Sequence, residues 1–170
     1  EDEGQSNVCS CDSKGKYCDD EHCINFSTQI ECNPEYCGAN CRNQRFAKQQ
    51  YKKIEVKETP GKGHGLFTKE VIRADEFIMQ YCGEIICTKT MDERAKNTVN
   101  ATHLYLQNLS PNVYLDARFK GNITRFTNHS CEPNITQERW ISNGKIVVGI
   151  FAMRDIDPDE ELCFDYGWTL

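Results

Sequence analysis

The stretch Arg125–Asn134, RFTNHSCEPN, sets an asparagine, a histidine, a serine and a cysteine side by side at Asn128, His129, Ser130 and Cys131. Three readings of it compete. It could be a thiol nucleophile with its base, part of a metal site, or a tight backbone crossing that builds a cofactor pocket. The first is the weakest. A base two residues from its nucleophile seldom faces it, and no third group is at hand to orient the pair. The choice between the others depends on the rest of the chain.

At 170 residues the chain fits one ordinary domain, or a small domain with an appendage. Its 38% hydrophobic and 27% charged residues are those of a soluble globular protein. It has no apolar run long enough to span a membrane and no signal-like stretch, so no membrane partner is expected. A net charge of -6 argues against a general nucleic-acid binder and fits a basic partner. The charge is uneven: Arg42–Lys57 carries six basic residues and one acid, and Asp155–Asp165 carries six acids and no base. Two solvated faces would explain this. A patch for an anionic surface and another for a cationic peptide would explain it as well.

Of the 11 cysteines, Cys9, Cys11, Cys18, Cys23, Cys32, Cys37 and Cys41 crowd the first quarter of the chain. Disulfides in a secreted protein or thiolates on metal would both account for them. An odd number cannot all pair, and Cys9 and Cys11 are too close for a comfortable mutual bridge. Metal is favoured. Zinc takes four thiolates in a tetrahedron, so seven thiolates close two sites only if one sulfur bridges both ions. The intervening sequence is poor in apolar residues, so metal binding must supply much of the folding free energy there.

After this knot, a connector or short helix leads into a strand near Ile54–Lys57, and TPGKGHGLF follows with glycines at 61, 63 and 65. Alternate glycines allow close backbone approach to a ligand, though a tight turn alone would use them too. The run Glu76–Ile86 is β-prone, and Thr90-Met91-Asp92-Glu93 has capping-box spacing for a short helix through Asn97. Residues 112–117 form a further short strand. Asn143-Gly144 between β-prone runs predicts a two-residue hairpin, and the acidic turn then feeds a last aromatic strand. The class is α+β and β-rich, with many short strands.

GKGHGLF, YCGEII, RFTNHSCEPN and ELCFDYGW, in this order and at these separations, resemble the SET-domain lysine methyltransferases. The cysteine knot, ending CGANCRNQRF, resembles the AWS segment that precedes the SET domain in enzymes methylating lysine 36 of histone H3. The resemblance divides the chain into a tail (1–8), an AWS zinc segment (9–45), a connector (46–53) and a SET domain (54–170). It implies a fold of short strands with a knot-like crossing, in which Asn128 and His129 floor the S-adenosylmethionine pocket. Lys62, Gly63 and His64 give a second wall, His103 and Tyr105 a third, and Arg125 braces the crossing. It assigns one zinc to Cys9, Cys11, Cys18 and Cys23 and another to Cys18, Cys32, Cys37 and Cys41, with Cys18 bridging. Cys131 would ligate a third zinc only where a terminal cysteine segment is present, and none follows Tyr166 here.

The implied reaction moves a methyl group from the cofactor's sulfonium to a lysine amine in a nucleosomal histone H3 tail, at lysine 36. The expected setting is nuclear chromatin, with nucleosomal DNA as part of the partner and the chain a monomer. By the same resemblance, Tyr166 would supply the catalytic hydroxyl. The resemblance implies that Tyr81, Leu104 and Phe164 line the lysine channel, with Leu104 where the family often has an aromatic. Phe164 instead of tyrosine implies products beyond monomethyl. The alternatives are the same chemistry on another histone or non-histone lysine, or a catalytically weak SET module acting as a chromatin-binding scaffold.

Overall fold

The Asn143-Gly144 turn closes the hairpin its dipeptide predicts, with φ of 50° and 71° at the two central residues. It joins β8 (Ile135–Ser142) to β9 (Lys145–Ala152) in unbroken antiparallel register from Ile135↔Ala152 to Ser142↔Lys145. The computed structural model describes residues 9, 11, 18, 22–37, 41–96 and 105–167. On its other edge β9 takes β3 (Phe77–Tyr81), completing a three-stranded sheet whose central strand is buried from Val148 to Ala152.

A second sheet runs β1 (Ile54–Thr59), β2 (Gly63–Thr68), β10 (Glu161–Phe164) and β7 (Asn128–His129). A third pairs β4 (Glu84–Cys87) and β5 (Leu106–Ser110) on either side of β6 (Val113–Asp116). The three sheets share one core. Leu66, Ile72, Ile78, Ile135, Ile150, Ile156 and Leu162 are its largest fully buried members, each contributing about 1.5–3 kcal/mol by leaving water. β5, with sequence LQNLS, is a strand that the local sequence does not announce.

The helix expected to open at Thr90 begins instead at Thr88, and α2 spans Thr88–Lys96. The chain turns from β4 directly into the helix. The Cys87 thiol takes the capping place beside Thr90 (Sγ–Oγ1 3.6 Å), and the Thr90 backbone N–H holds that thiol below its usual pKa. Thr90 thus lies inside the first turn.

The cysteine segment docks on the outer edge of β8. After the four-residue helix α1 (Ile24–Ser27), Ile30 forms a parallel bridge with Ile141, using Glu31 N–H to Ile141 O and Ile141 N–H to Gln29 O, both 2.8 Å. Phe26 sets its ring edge-on to Trp140 at 5.4 Å. Phe46, Phe77, Trp140 and Phe151 form a small aromatic core beneath. The Arg45 guanidinium lies 5.0–5.8 Å from the centroids of Phe26, Phe77, Trp140 and Phe151, a cation held by ring faces.

Candidate functional site

The opening stretch is a backbone crossing. β7, Asn128 and His129, runs parallel to Cys163 and Phe164 of β10, although the two segments are far apart in sequence. Asn134 staples them together. Its Oδ1 accepts from Cys163 N–H (2.9 Å), its amide donates to the Glu161 carbonyl (2.8 Å) and Glu160 Oε1 (3.0 Å), and its own N–H donates to Cys163 O (3.2 Å). Asn134 is 3% exposed, so each of these groups would be unsatisfied without its partner. Arg125 braces the approach to the crossing. It donates to Arg118 O (2.8 Å) and lies 4.9 Å over the Tyr105 ring.

The glycine-rich strand comes against this crossing. Gly63, at φ 81°, has a conformation that other residues rarely take. A Cβ on Gly65 would lie 2.6 Å from both Glu161 Oε1 and Thr59 Oγ1, so the bare backbone is what admits the Glu161 carboxylate. Glu161 in turn accepts from Asn128 Nδ2 at 2.7 Å and lies 3.6 Å from Lys62 Nζ. Asn128 Nδ2 also donates to His64 O (2.9 Å). Lys62, His64 and Asn128 therefore meet, with Gly63 between the first two. His129 Nδ1 accepts from Tyr166 N–H (3.2 Å), linking the crossing to the segment just after β10.

Behind this groove a cavity of about 170 Å³ is lined by Tyr81, Tyr105, Leu106, Gln107, Arg125, Thr127, Phe164 and Tyr166. The Tyr166 hydroxyl donates to the Thr127 carbonyl at 2.7 Å, which fixes the oxygen's position. The Phe164 ring lies 4.8 Å from that of Tyr166. Burial, with Tyr105 and Cys163 nearby, pushes the Tyr166 phenol up to about 12, and burial pushes Tyr81 up as well. Both stay neutral around pH 7. The cavity thus has aromatic walls, a positioned neutral hydroxyl and a main-chain acceptor, a setting suited to aligning an amine rather than generating a charged nucleophile.

All seven clustered cysteines are buried, and none is in a disulfide. The sulfurs of Cys18, Cys32, Cys37 and Cys41 lie within 4.8 Å of one another, as do those of Cys9, Cys18, Cys23 and Cys32. The second of these fours has Cys32 where the expected set has Cys11. Cys18 is common to both fours, and so is Cys32; Cys11 is buried in the same cluster but belongs to neither. Zn–S bonds near 2.3 Å put tetrahedral sulfurs about 3.8 Å apart, and the Cys23–Cys32 separation is 3.8 Å. Burial and mutual repulsion push the Cys18 and Cys37 thiols up, so a cation is the natural means of holding them as thiolates. Asn25 and Asn43 each donate to Cys32 Sγ at 3.5 Å, supporting negative charge on that sulfur. The donor set fits zinc.

Cys131 is exposed, with Sγ 3.5 Å from His129 Nε2. His103 and Leu104 lie outside the described residues. Glu161, Asn134 and Thr127 were not singled out from the sequence, because a local pattern does not reveal which backbone they cross. The acidic run is largely tied to the chain's own cations. Asp155 pairs with Arg73 (2.7 Å), Asp159 with Lys57 (2.6 Å), Glu160 with Arg154 and Glu161 with Lys62. It is less available to a cationic peptide than its composition implies.

Residues 63–167 match the SET domain and residues 12–49 the AWS domain. The chain is 41% identical over 152 residues to the histone-lysine N-methyltransferase ASHH1 of Arabidopsis thaliana, covering 87% of this chain and 31% of that protein. It is 40% identical to a histone-lysine N-methyltransferase, H3 lysine-36 specific, of Debaryomyces hansenii, covering 88% and 21%. The chain thus spans a third or less of these relatives. Among solved structures, the Chaetomium thermophilum polycomb repressive complex 2 superposes with a TM-score of 0.81 at 26% identity, over 87% of this chain and 22% of the other. An autoinhibited form of such a complex bound to S-adenosylmethionine gives 0.79 at 26% identity, over 85% and 21%.

Proposed function

The chain belongs to the SET-domain family with an AWS segment ahead of the SET domain, and from that premise we propose that it is an S-adenosylmethionine-dependent histone-lysine N-methyltransferase. Its proposed substrate is lysine 36 of histone H3 in nucleosomes, it adds more than one methyl, and it works in nuclear chromatin as a monomer. The observation that carries this reading is the Tyr166 hydroxyl, anchored on Thr127 O inside an aromatic cavity behind the β7–β10 crossing. The relatives named for histone H3 lysine 36 support the choice of substrate.

When bound, S-adenosylmethionine supplies a methyl group activated by a positively charged sulfur. Lys62, Gly63, His64, Asn128 and His129 would hold it, with His103, Tyr105 and Arg125 completing the pocket. Among the described residues no group donates to the Asn128 amide oxygen, and Lys62 stands at the groove's edge. A lysine ammonium with a pKa near 10.4 must lose its proton before it can attack. The phenols and Phe164 desolvate it, which favours the neutral amine. The Tyr166 oxygen then orients the amine's lone pair, and orientation supplies much of the acceleration. Tyr81 and Phe164 shape the channel, Leu104 would add to it by resemblance, and ring faces stabilise the methylated cation left behind. Phe164 offers no hydroxyl to pin a small amine, which leaves room for a second transfer.

The cysteine segment would carry two zinc ions, with Cys9, Cys11, Cys18, Cys23, Cys32, Cys37 and Cys41 as the thiolate pool. Cys131 would join a third ion where further cysteines are supplied. The test is mass spectrometry of recombinant nucleosomes incubated with the protein and S-adenosylmethionine, beside Tyr166→Phe. Methyl groups on lysine 36 of histone H3 that vanish in the variant are the expected result; modification of another lysine would move the proposal to that substrate.

A further inference from the structure

We propose that Glu161 is a positioning residue for cofactor binding, acting through Asn128. This rests on the reading of the Lys62–His129 groove as the S-adenosylmethionine site. A primary amide has two N–H donors and one carbonyl oxygen. Both Asn128 N–H bonds are taken, one by His64 O at 2.9 Å and the other by Glu161 Oε1 at 2.7 Å. With both hydrogens held, the amide cannot flip without breaking two bonds, one of them to a carboxylate and so among the stronger kind. No described group donates to the Asn128 Oδ1. Glu161 therefore fixes Asn128 so that it presents an acceptor to its surroundings, and an acceptor there selects a ligand N–H.

Three features place this role on Glu161 rather than on general packing. Its carboxylate comes within 2.6 Å of where a Cβ of Gly65 would stand, so the glycine-rich strand makes room for it. Its backbone sits on β10 opposite Phe67 of β2, and the neighbouring Cys163 pairs with Asn128 itself. Its second oxygen lies 3.6 Å from Lys62 Nζ, which tethers the lysine that flanks the groove. One carboxylate thus links the glycine strand, the crossing and the last strand. It touches the residues that hold the cofactor and not the transferred methyl, so it positions and does not react.

The experiment is isothermal calorimetry of S-adenosylmethionine binding to the full chain, with Glu161→Ala, Glu161→Gln, Asn128→Ala and the Glu161→Ala/Asn128→Ala pair, alongside the thermal midpoint of each. Glutamine keeps an acceptor for the Asn128 amide, whereas alanine removes it. Glu161→Ala is expected to weaken binding about tenfold or more, Glu161→Gln to recover most of the loss, and the double variant to bind no worse than Asn128→Ala. Wild-type affinity in Glu161→Ala, or losses that add in the double variant, would overturn the proposal. So would a drop in thermal midpoint without a change in affinity, which marks a structural role only. If the wild-type chain itself fails to bind S-adenosylmethionine, the reading of the groove falls first and takes the Glu161 proposal with it.

Discussion

Glu31, in the cysteine segment, accepts a hydrogen bond from Ser142 Oγ on β8 at 2.5 Å, and its two oxygens also accept from Phe46 N–H (2.7 Å) and Ala47 N–H (3.1 Å). Glu31 is 4% exposed and lies one residue before Cys32, which with Cys18 is shared by both groups of four. One side chain thus joins the thiol cluster, the connector and the outer strand of the SET domain. Glu31→Ala leaves three donors without their acceptor, at a cost of about 2–4 kcal/mol. Urea unfolding should show that loss, and Glu31→Gln should recover part of it.

Metal removal should propagate along the same route. Phe26 follows Cys23 by three residues and packs edge-on against Trp140. Chelation is expected to release about two zinc ions per chain and to shift Trp140 emission to the red in a Trp168→Phe background. Zinc release without any change around Trp140 would mean that the cluster and the SET domain are energetically independent.

Asp116 is fully buried between Arg94 (2.7 Å) and Arg118 (2.9 Å). Burial alone would raise its pKa, but the Arg118 and Arg94 bonds and the Arg118 N–H outweigh burial and hold it below the usual carboxylate range. A depressed folded pKa stabilises the fold above the unfolded value near 3.9, and that stability is lost as pH falls through the folded value. Asp116→Asn should therefore cost about 2–4 kcal/mol at pH 7, with the gap from wild type closing below about pH 4. Denaturant unfolding at pH 7 and pH 3 measures it. Activity should fall with stability, since the residue after Asp116 donates to Tyr105 O (2.9 Å) and so supports the channel wall.

Tyr166→Phe keeps the ring beside Phe164 and removes the hydroxyl on Thr127 O. Loss of one positioned group at a transfer site costs about 10²–10³-fold in rate, while cofactor affinity should hold within a few fold. Because the phenol titrates only near 12, the wild-type rate should rise with pH as substrate lysine deprotonates. It should show no descending limb from Tyr166 below about pH 11. A fall between pH 8 and 10 would mean that a different group does the work.

The hairpin at Asn143-Gly144 and the cluster of thiols were legible because local chemistry announces them: a dipeptide comfortable at positive φ, and seven thiols crowded into the first quarter of the chain. The crossing was legible only by resemblance, since a parallel pair between Asn128 and Cys163 has no local signature. Glu161 and Asn134 stayed hidden for the same reason. In sequence, one is an acid among acids and the other a polar turn residue; their bonds form only when distant segments meet. The start of α2 was misread because Thr90-x-x-Glu93 carries a cap pattern, while the strand before it already delivered Cys87 to that place.

Phe164 tests the channel's capacity directly. Its ring is 8% exposed, lines the cavity of about 170 Å³ and lies 4.8 Å from the Tyr166 ring. Phe164→Tyr adds one hydroxyl to walls that already enclose the site. That oxygen takes up space a second methyl needs and offers the amine a hydrogen bond that fixes its orientation after the first transfer. The expected outcome is a product shift toward monomethyl-lysine, read by mass spectrometry of the modified histone H3, with the rate of the first transfer reduced by less than about tenfold. Unchanged product distribution would mean that the new hydroxyl points away from the amine and that another wall, such as Tyr81 or Tyr105, sets the limit.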